Sequence, residues 1–308
     1  MTVSSEPTEG AAGSTQAILV MCAGVLCLVL NDSLAKWLMD HYAPLQIIFL
    51  RNLIALPLVT IMVVSVAGRA ALPTRHPGLH LMRGAFSVFA ALCFFLSIRA
   101  LPLAEATSLI FAAPLFITAL SVPLLREHVG LRRWTAVIVG FIGVLIIVRP
   151  GAATFQTASL LVLCAAMLYA LMMISARWIA RDESVWTTMF YIVLFPMLIS
   201  GGLSWTEWQT PSLAHLPFFV AIAIVGSAGI VLITQAFRLA PAAIVAPFDY
   251  TALLWASLIG WLVWSEVPDG WTYAGAAVII ASGIYIVFRE TRRPGTPVRP
   301  ERISARSE

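Results

Sequence analysis

Long uncharged apolar runs alternate along the chain with short segments that carry most of its charges. The ten runs are 17–30, 53–67, 84–98, 106–125, 134–148, 150–176, 184–206, 208–237, 250–265 and 270–288. A helix needs about 20 apolar residues to cross about 30 Å of hydrocarbon, and each run reaches this length once flanking polar residues are included. Barrel strands would alternate with period two over about ten residues. The pattern therefore predicts an all-α integral membrane protein with ten transmembrane helices.

Polar residues inside two of the runs refine this prediction. Asn31 and Asp32 are expected to interrupt the first helix. Pro211, His215 and Pro217 stand near the start of the eighth run, so we expect its helix to begin near residue 216. Residues 1–16 contain no Lys or Arg, and no clear cleavage site follows, so the first helix should remain as an anchor.

The composition supports a membrane protein and gives no sign of an enzyme. Apolar residues make up 60% of the chain and charged residues 11%, against about 25% charged in soluble domains. The histidines fall in loops or at helix ends, and the sequence contains no HExxH, GxSxG or Walker motif. We expect no catalytic residue, no metal site and no cofactor. The four cysteines lie in apolar stretches and are interpreted as buried thiols.

The distribution of basic residues predicts the orientation. With the N-terminus inside, 15 of the 19 Lys and Arg residues lie on the cytoplasmic side, as the positive-inside rule requires. Both termini should then be cytoplasmic, in a chain that crosses the cytoplasmic (inner) membrane several times. The net charge of +4 needs no nucleic acid to explain it, because the segment 290–308 forms a basic tail that can face lipid.

The two halves of the chain match when one is shifted by about 140 residues. The matches are Lys36-Trp37 with Arg177-Trp178, Pro57 with Pro196, Arg99 with Arg238, Glu127 with Glu266, and Gly143 with Gly283. Each half contains five helices, and an odd number inserts the second half upside down. We predict a cytoplasmic segment 1–16, repeats at 17–149 and 156–289, and the tail. Such 5+5 inverted repeats are typical of secondary transporters.

One candidate substrate site lies where charges enter the first two helices. Lys36 follows Asp32 by four residues, so both lie on one helix face with Asn31 nearby. The second helix runs back across the membrane after a turn at residues 40–43, so Arg51 lies at the same membrane depth as Asp32. An ion pair between the two side chains is therefore plausible. A charge at mid-membrane costs at least about 2.5–3.5 kcal/mol and usually faces a cavity or a partner. The alternative is that these charges hold hairpins together, as we also expect of Arg99 with Glu105.

A second candidate set surrounds a proline in the ninth run. Pro247 removes a backbone donor, and Phe248, Asp249 and Tyr250 follow it. Gln235 and Asp249 lie at equal distances from residue 242, so we expect the two side chains to meet across the turn there. Tyr169 is a further candidate, because its ring could stack on a planar substrate. Asp249 or Asp32 could carry a coupling proton. A packed kink is the alternative interpretation.

Glu127 and Glu266 occupy repeat-related positions at opposite membrane faces. They are candidate gating residues, and ordinary helix-end polarity is the alternative interpretation.

Taken together, these residues resemble the EamA branch of the drug/metabolite transporter superfamily over about residues 17–289. The motifs are Asn31-Asp32-x3-Lys36, Arg51, Arg83-Gly84, Pro114-Leu115-Phe116, Glu127 with Trp134, Gly140-Phe141-Ile142-Gly143, Ala246-Pro247-x2-Tyr250 and Glu266-x-Pro268. The resemblance implies a 5+5 inverted repeat with a central cavity formed by helices 1–4 and 6–9. In pattern the chain is most similar to bacterial carriers of riboflavin and of S-adenosylmethionine.

We therefore expect a secondary transporter that moves a small polar or planar metabolite by alternating access, with riboflavin-type uptake as the first guess. The expected partners are a small-molecule substrate and the lipid bilayer. The alternatives are an exporter of amino acids, drugs or other metabolites, and, from a different class, a membrane enzyme or receptor. The sequence leaves the coupling ion and the oligomeric state open.

Overall fold

The structure, a computed structural model, describes residues 8–126, 129–151, 156–179 and 183–291. Within these ranges the chain is helical and contains no strand. The α-helices are α1 (Thr8–Leu38), α2 (Pro44–Ala67), α3 (Pro77–Ile98), α4 (Leu103–Ile110), α5 (Ala113–Leu125), α6 (Leu131–Val148), α7 (Ala158–Ile179), α8 (Val185–Leu203), α9 (Leu216–Leu239), α10 (Ala242–Val245), α11 (Ala252–Trp264) and α12 (Gly270–Thr291).

These helices confirm the predicted class of an all-α membrane protein with ten spans. Nine helical stretches of the described chain are long and apolar enough to cross a membrane, and α12 adds a shorter apolar helix. The eighth span begins at Leu216, as predicted. The expected interruption at Asn31 and Asp32 is wrong, because α1 continues unbroken to Leu38. A helix satisfies its own backbone, so polar side chains need only a polar neighbourhood and not a break.

The fourth and ninth spans are each built from more than one helix. The fourth passes from α4 to α5 at Phe111 and Ala112, and the ninth contains a 3-10 stretch over Ala246–Thr251. Pro247 lies in that stretch, and its missing N–H explains why the α-helix does not continue there. Phe111 and Tyr250 stand at the two breaks and pack edge to face, with ring centroids 4.9 Å apart.

The packing of the helices follows the symmetry of an inverted repeat. The helices α1 and α9 pack closely, and so do α7 and α3, which are their counterparts in the other half. The pairs α2 with α8 and α6 with α12 each join a helix to its own counterpart. The last of these is a backbone contact, because a Cβ on Gly143 would lie 2.8 Å from the Gly275 carbonyl oxygen. Exchanging the halves therefore preserves the main contacts.

The bundle has two ends, which are named here by residues that they carry. The Lys36 face includes Lys36, Tyr42, Arg149, His215 and Glu266, and the Glu183 face includes Thr74, His80, Glu183 and Arg238. Consecutive spans run in opposite directions between these faces. Polar contacts between the two halves occur at both ends.

Candidate functional site

An ion pair closes the interior of the bundle at the Lys36 face. Lys36 Nζ donates to Glu266 Oε1 at 2.5 Å and to the Leu101 carbonyl at 3.3 Å. Glu266 Oε2 accepts from the backbone N–H of Leu103, the first residue of α4, at 3.1 Å. This N–H has no partner inside its own helix, so the carboxylate caps α4. We call this group the Lys36 clasp, and it joins the first, fourth and ninth spans.

The Lys36 clasp is well buried for an ion pair. The Lys36 side chain is 8% exposed and that of Glu266 is 23% exposed, and the Lys36 ammonium also lies 5.0 Å from the ring centroid of Trp264. A cation over an indole ring gains a further favourable interaction. The sequence placed Lys36 with Asp32 on one helix face, but its direct partner is Glu266, 230 residues along the chain.

Further contacts between the halves surround the Lys36 clasp. The Tyr42 hydroxyl bonds to His215 Nδ1 at 2.9 Å, and Gln46 exchanges two hydrogen bonds with the backbone of Gln209. Arg149 Nη2 donates to Asp269 Oδ2 at 2.5 Å. Burial raises the pKa of Asp269, but hydrogen bonds from Thr272 and the charge of Arg149 outweigh it, so the pKa lies below its usual value. The Lys36 face is therefore closed by several cross-repeat contacts.

Asp32 and Arg51 face each other without touching. Both side chains are partly buried, and each lies within the electrostatic reach of the other, yet they form no direct ion pair. Asp32 instead accepts a hydrogen bond from Asn31 Nδ2 at 3.0 Å. The two opposite charges thus lie near each other, but they do not form the direct pair that the sequence suggested.

Asp249 and Tyr169 lie near each other on different spans. Both are exposed residues of apolar spans, with Tyr169 42% exposed, and their side chains are close enough to interact electrostatically. Two residues that faced lipid on opposite sides of the bundle could not do so. A carboxylate and a phenol therefore approach each other between α7 and the 3-10 stretch.

The other predicted site residues lie elsewhere. Phe248 packs against the apolar cluster formed by α1 and α9, and the Tyr250 hydroxyl lies against Gly283 of α12. Both aromatic rings therefore serve packing in this structure. Gln235 is exposed and makes no hydrogen bond to Asp249 within the described ranges. The segment between Gln235 and Asp249 contains the separate helix α10 and is not a simple turn. Equal distance along the chain from its middle therefore does not bring the two side chains together.

The predicted pair of Arg99 with Glu105 is wrong. Glu105 instead lies within the electrostatic reach of Asp269 and Arg149, and Arg99 is exposed at the end of α3. Equal distance from a turn fixes depth but not the direction of a side chain. The other predicted gating residue, Glu127, lies outside the described residues.

A second cross-repeat cluster, at the opposite end, forms what we call the Glu183 clasp. Glu183 Oε1 accepts from Thr74 Oγ1 and from the backbone N–H groups of Arg75 and His76, and Oε2 contacts His80 Nε2 at 2.7 Å. Burial raises the pKa of Glu183, but the hydrogen bonds from His80, Thr74 and Arg75 outweigh it and lower the pKa to about 2. Sequence reasoning missed this clasp, because its parts come from two unrelated loops.

Some buried polar atoms of the described chain have no hydrogen-bond partner. They include Asn31 Oδ1, the Nε and Nη1 atoms of Arg83, and Trp255 Nε1. Buried polar atoms are nearly always hydrogen-bonded, so unpaired ones indicate a place for a water, an ion or a ligand. Arg83 was interpreted from the sequence as a basic residue at a membrane face, and Trp255 gave no sequence signal beyond its apolar surroundings.

Comparison with known proteins agrees with this architecture. The S-adenosylmethionine uptake transporter of Rickettsia prowazekii is 28% identical over 88% of this chain and 93% of its own length. The riboflavin transporter of Vibrio cholerae is 28% identical over 95% of this chain and 97% of its own. One solved structure shares the fold, with a TM-score of 0.59 and 19% identity over 94% of this chain and 100% of its own.

The family model for the EamA-like transporter family matches the chain twice, at residues 15–149 and 156–289. The two matches together cover most of the chain, with one match to each half. One match to each half agrees with the exchangeable helix pairs. The chain therefore belongs to the EamA-like transporter family.

Proposed function

We propose that this chain takes up a small planar or zwitterionic metabolite, of the riboflavin or S-adenosylmethionine type, across the cytoplasmic membrane. The observation that carries the proposal is the gap between Asp32 and Arg51, where two opposite charges stand apart inside the membrane region. A substrate that brings both charges, or donors and acceptors in their place, would compensate both side chains at once. The similarity to carriers of these two metabolites supports the same substrate class.

In this proposal the cavity binds substrate through residues of both halves. Asn31, Asp32 and Arg51 would hold the polar end, while Tyr169 and Asp249 would contact the remainder from the other half. A phenol ring can stack on a planar heterocycle, and a carboxylate can accept from its N–H groups. The repeats are taken as 17–149 and 156–289, with the binding site at their interface, where inverted-repeat carriers place it.

The remaining predicted residues receive supporting roles. Gln235 and the rings of Phe248 and Tyr250 lie beside the second half of the pathway, where they would shape its wall rather than bind charge. Lys36 with Glu266 would form the gate at one face, and Glu127 would serve the corresponding role at the other by its repeat-related position. Alternating access then amounts to making one clasp while breaking the other.

We further infer that the Glu183 face is cytoplasmic. Most loop arginines belong to this face, and both termini would then lie inside. On that assignment the Lys36 clasp joins the two halves at the outer end, and the Glu183 clasp joins them at the cytoplasmic end. Both clasps are formed in this structure, so the transport cycle would require each of them to break in turn.

The test is counterflow in proteoliposomes that contain the purified chain. Labelled riboflavin and labelled S-adenosylmethionine should be compared for accumulation against an internal pool of the same compound. Asp32→Asn and Arg51→Gln should reduce uptake of the true substrate at least about tenfold, because each leaves the opposite charge unpaired. Asp40→Asn is the matched control, since it removes an exposed carboxylate from the turn between α1 and α2 and leaves both clasps intact. Full activity in both cavity variants would refute the proposed site.

The same vesicles distinguish the alternatives. A membrane enzyme or receptor would bind or convert a compound without concentrating it, whereas a carrier accumulates it against a gradient. Right-side-out and inverted vesicles compare uptake with export. A coupling proton is tested by imposing a pH gradient on the native chain and on Asp32→Asn and Asp249→Asn. Unchanged gradient dependence in both variants would exclude these carboxylates as its carriers.

A further inference from the structure

Arg83 is a buried cation at the Glu183 face, and no group in the described part of the chain balances its charge. It lies six residues after the start of α3 and is 4% exposed. Its Nε and Nη1 atoms are sealed from solvent and have no hydrogen-bond partner within the described part of the chain. No acidic side chain forms an ion pair with it there.

The surroundings of Arg83 explain why the charge stays unbalanced. One turn earlier, His80 occupies Oε2 of Glu183, and Thr74 with two backbone N–H groups occupies Oε1, so this carboxylate is already satisfied. The next residue after Arg83, Gly84, packs directly against the backbone and side chain of Phe195 on α8. The described part of the chain therefore offers no free acceptor to the buried Nε and Nη1 atoms of Arg83.

A guanidinium cannot escape this situation by losing its proton, because arginine remains charged in proteins. A buried charge without a partner is strongly unfavourable, and such residues inside membrane proteins usually mark a functional site. The planar fork of arginine matches the two oxygens of a carboxylate or a phosphate. Because Nε and Nη1 are both sealed from solvent, an anion would reach Nη2 first, and a second bond to Nη1 would require the neighbouring side chains to move.

We propose that Arg83 is a binding site for an oxyanion, supplied either by a phospholipid headgroup or by a soluble phosphate or carboxylate. The site lies at the Glu183 face, about 9 Å along α3 from its first residue, a depth that an anion entering from that face can reach. A bound anion would neutralise Arg83 and support the loop that the Glu183 clasp holds. The proposal is independent of which metabolite is transported.

The experiment measures thermal unfolding of the purified full-length chain in a neutral detergent. One arm titrates inorganic phosphate, and a second adds mixed micelles of phosphatidylglycerol or, for comparison, phosphatidylcholine. The variants are Arg83→Gln, Arg83→Lys and the matched control Arg69→Gln, which removes an exposed arginine from the same end of the bundle. In anion-free detergent, Arg83→Gln should be at least as stable as the native chain.

The expected result is a rise in Tm with one anion for the native chain and for Arg69→Gln, and no rise for Arg83→Gln. Arg83→Lys should need about tenfold more anion, because it keeps the charge and loses the fork. A rise with phosphate indicates a soluble anion, and a rise with phosphatidylglycerol alone indicates a headgroup. Equal rises in the native chain and Arg83→Gln, or no rise with any anion, would overturn the proposal. If Arg83→Gln does not fold, equal affinity in Arg83→Lys would overturn it.

Discussion

Removing the charge of Glu266 should destabilise the chain by stranding Lys36. In Glu266→Gln the amide oxygen can still accept from Leu103, but Lys36 keeps only the 3.3 Å bond to Leu101 and loses its counter-charge. Breaking a buried ion pair by removing one partner costs about 3–5 kcal/mol. Glu266 is 23% exposed, so water compensates in part and we expect about 2–3 kcal/mol.

The assay is a double-mutant cycle on thermal unfolding in detergent. At about 2 °C per kcal/mol for a chain of this size, Glu266→Gln should lower the Tm by about 4–6 °C. Lys36→Met should also destabilise the chain, whereas the double variant Lys36→Met/Glu266→Gln contains no stranded charge and should be more stable than the sum of the single effects predicts. A coupling energy of about 1–2 kcal/mol is expected. Additive effects within about 0.5 kcal/mol would show that the two side chains do not depend on each other.

Two further perturbations test the packing and the opposite clasp. Gly283→Ala should lower the free energy of unfolding by about 1–3 kcal/mol, because the new Cβ would overlap the Tyr250 hydroxyl. Tyr250→Phe removes that hydroxyl and should restore the stability of Gly283→Ala. Gly270→Ala, where a Cβ meets no neighbour, is the control and should leave the Tm unchanged. Acidification should weaken the Glu183 clasp: with a native pKa of about 2 against an ordinary 4.5, ionised Glu183 stabilises the fold fully above about pH 4.5 and less as pH falls toward 2. The Tm of the native chain should therefore fall more across this window than that of Glu183→Gln, and parallel curves would contradict this.

The helices could be predicted from the sequence because hydrophobic length is a local property. Ten apolar runs required ten spans, and the shift of about 140 residues required an inverted repeat whatever the side chains touch. The break at Pro247 followed in the same way from a missing N–H. The error at Asn31 arose because polarity was taken for a helix break, although only the side chain needed a partner.

The partners of charged residues could not be predicted in the same way. Lys36 meets Glu266 because two spans far apart in sequence end at the same corner of the bundle, and helix periodicity does not contain this information. Depth alone placed Asp32 opposite Arg51 correctly, yet the same reasoning failed for Glu105, whose side chain turns toward another loop. Arg83 escaped notice because an arginine near a helix end is typical of a membrane face, and only its packing shows that it is buried.

The backbone contact between α6 and α12 limits how this bundle can move. At Gly143 and Gly275 each helix rests on the carbonyl oxygen of the other, with Cβ-to-oxygen approaches of 2.8 and 2.6 Å if side chains were added. Backbone atoms have no rotamers to rearrange, and the side chains of Ile147 and Ile279 fill the space beside the two glycines, so these helices have little freedom to slide past one another. The two helices are suited to form a rigid unit that connects the two repeats. Changes of shape during transport would then fall on the other helix pairs and on the two clasps.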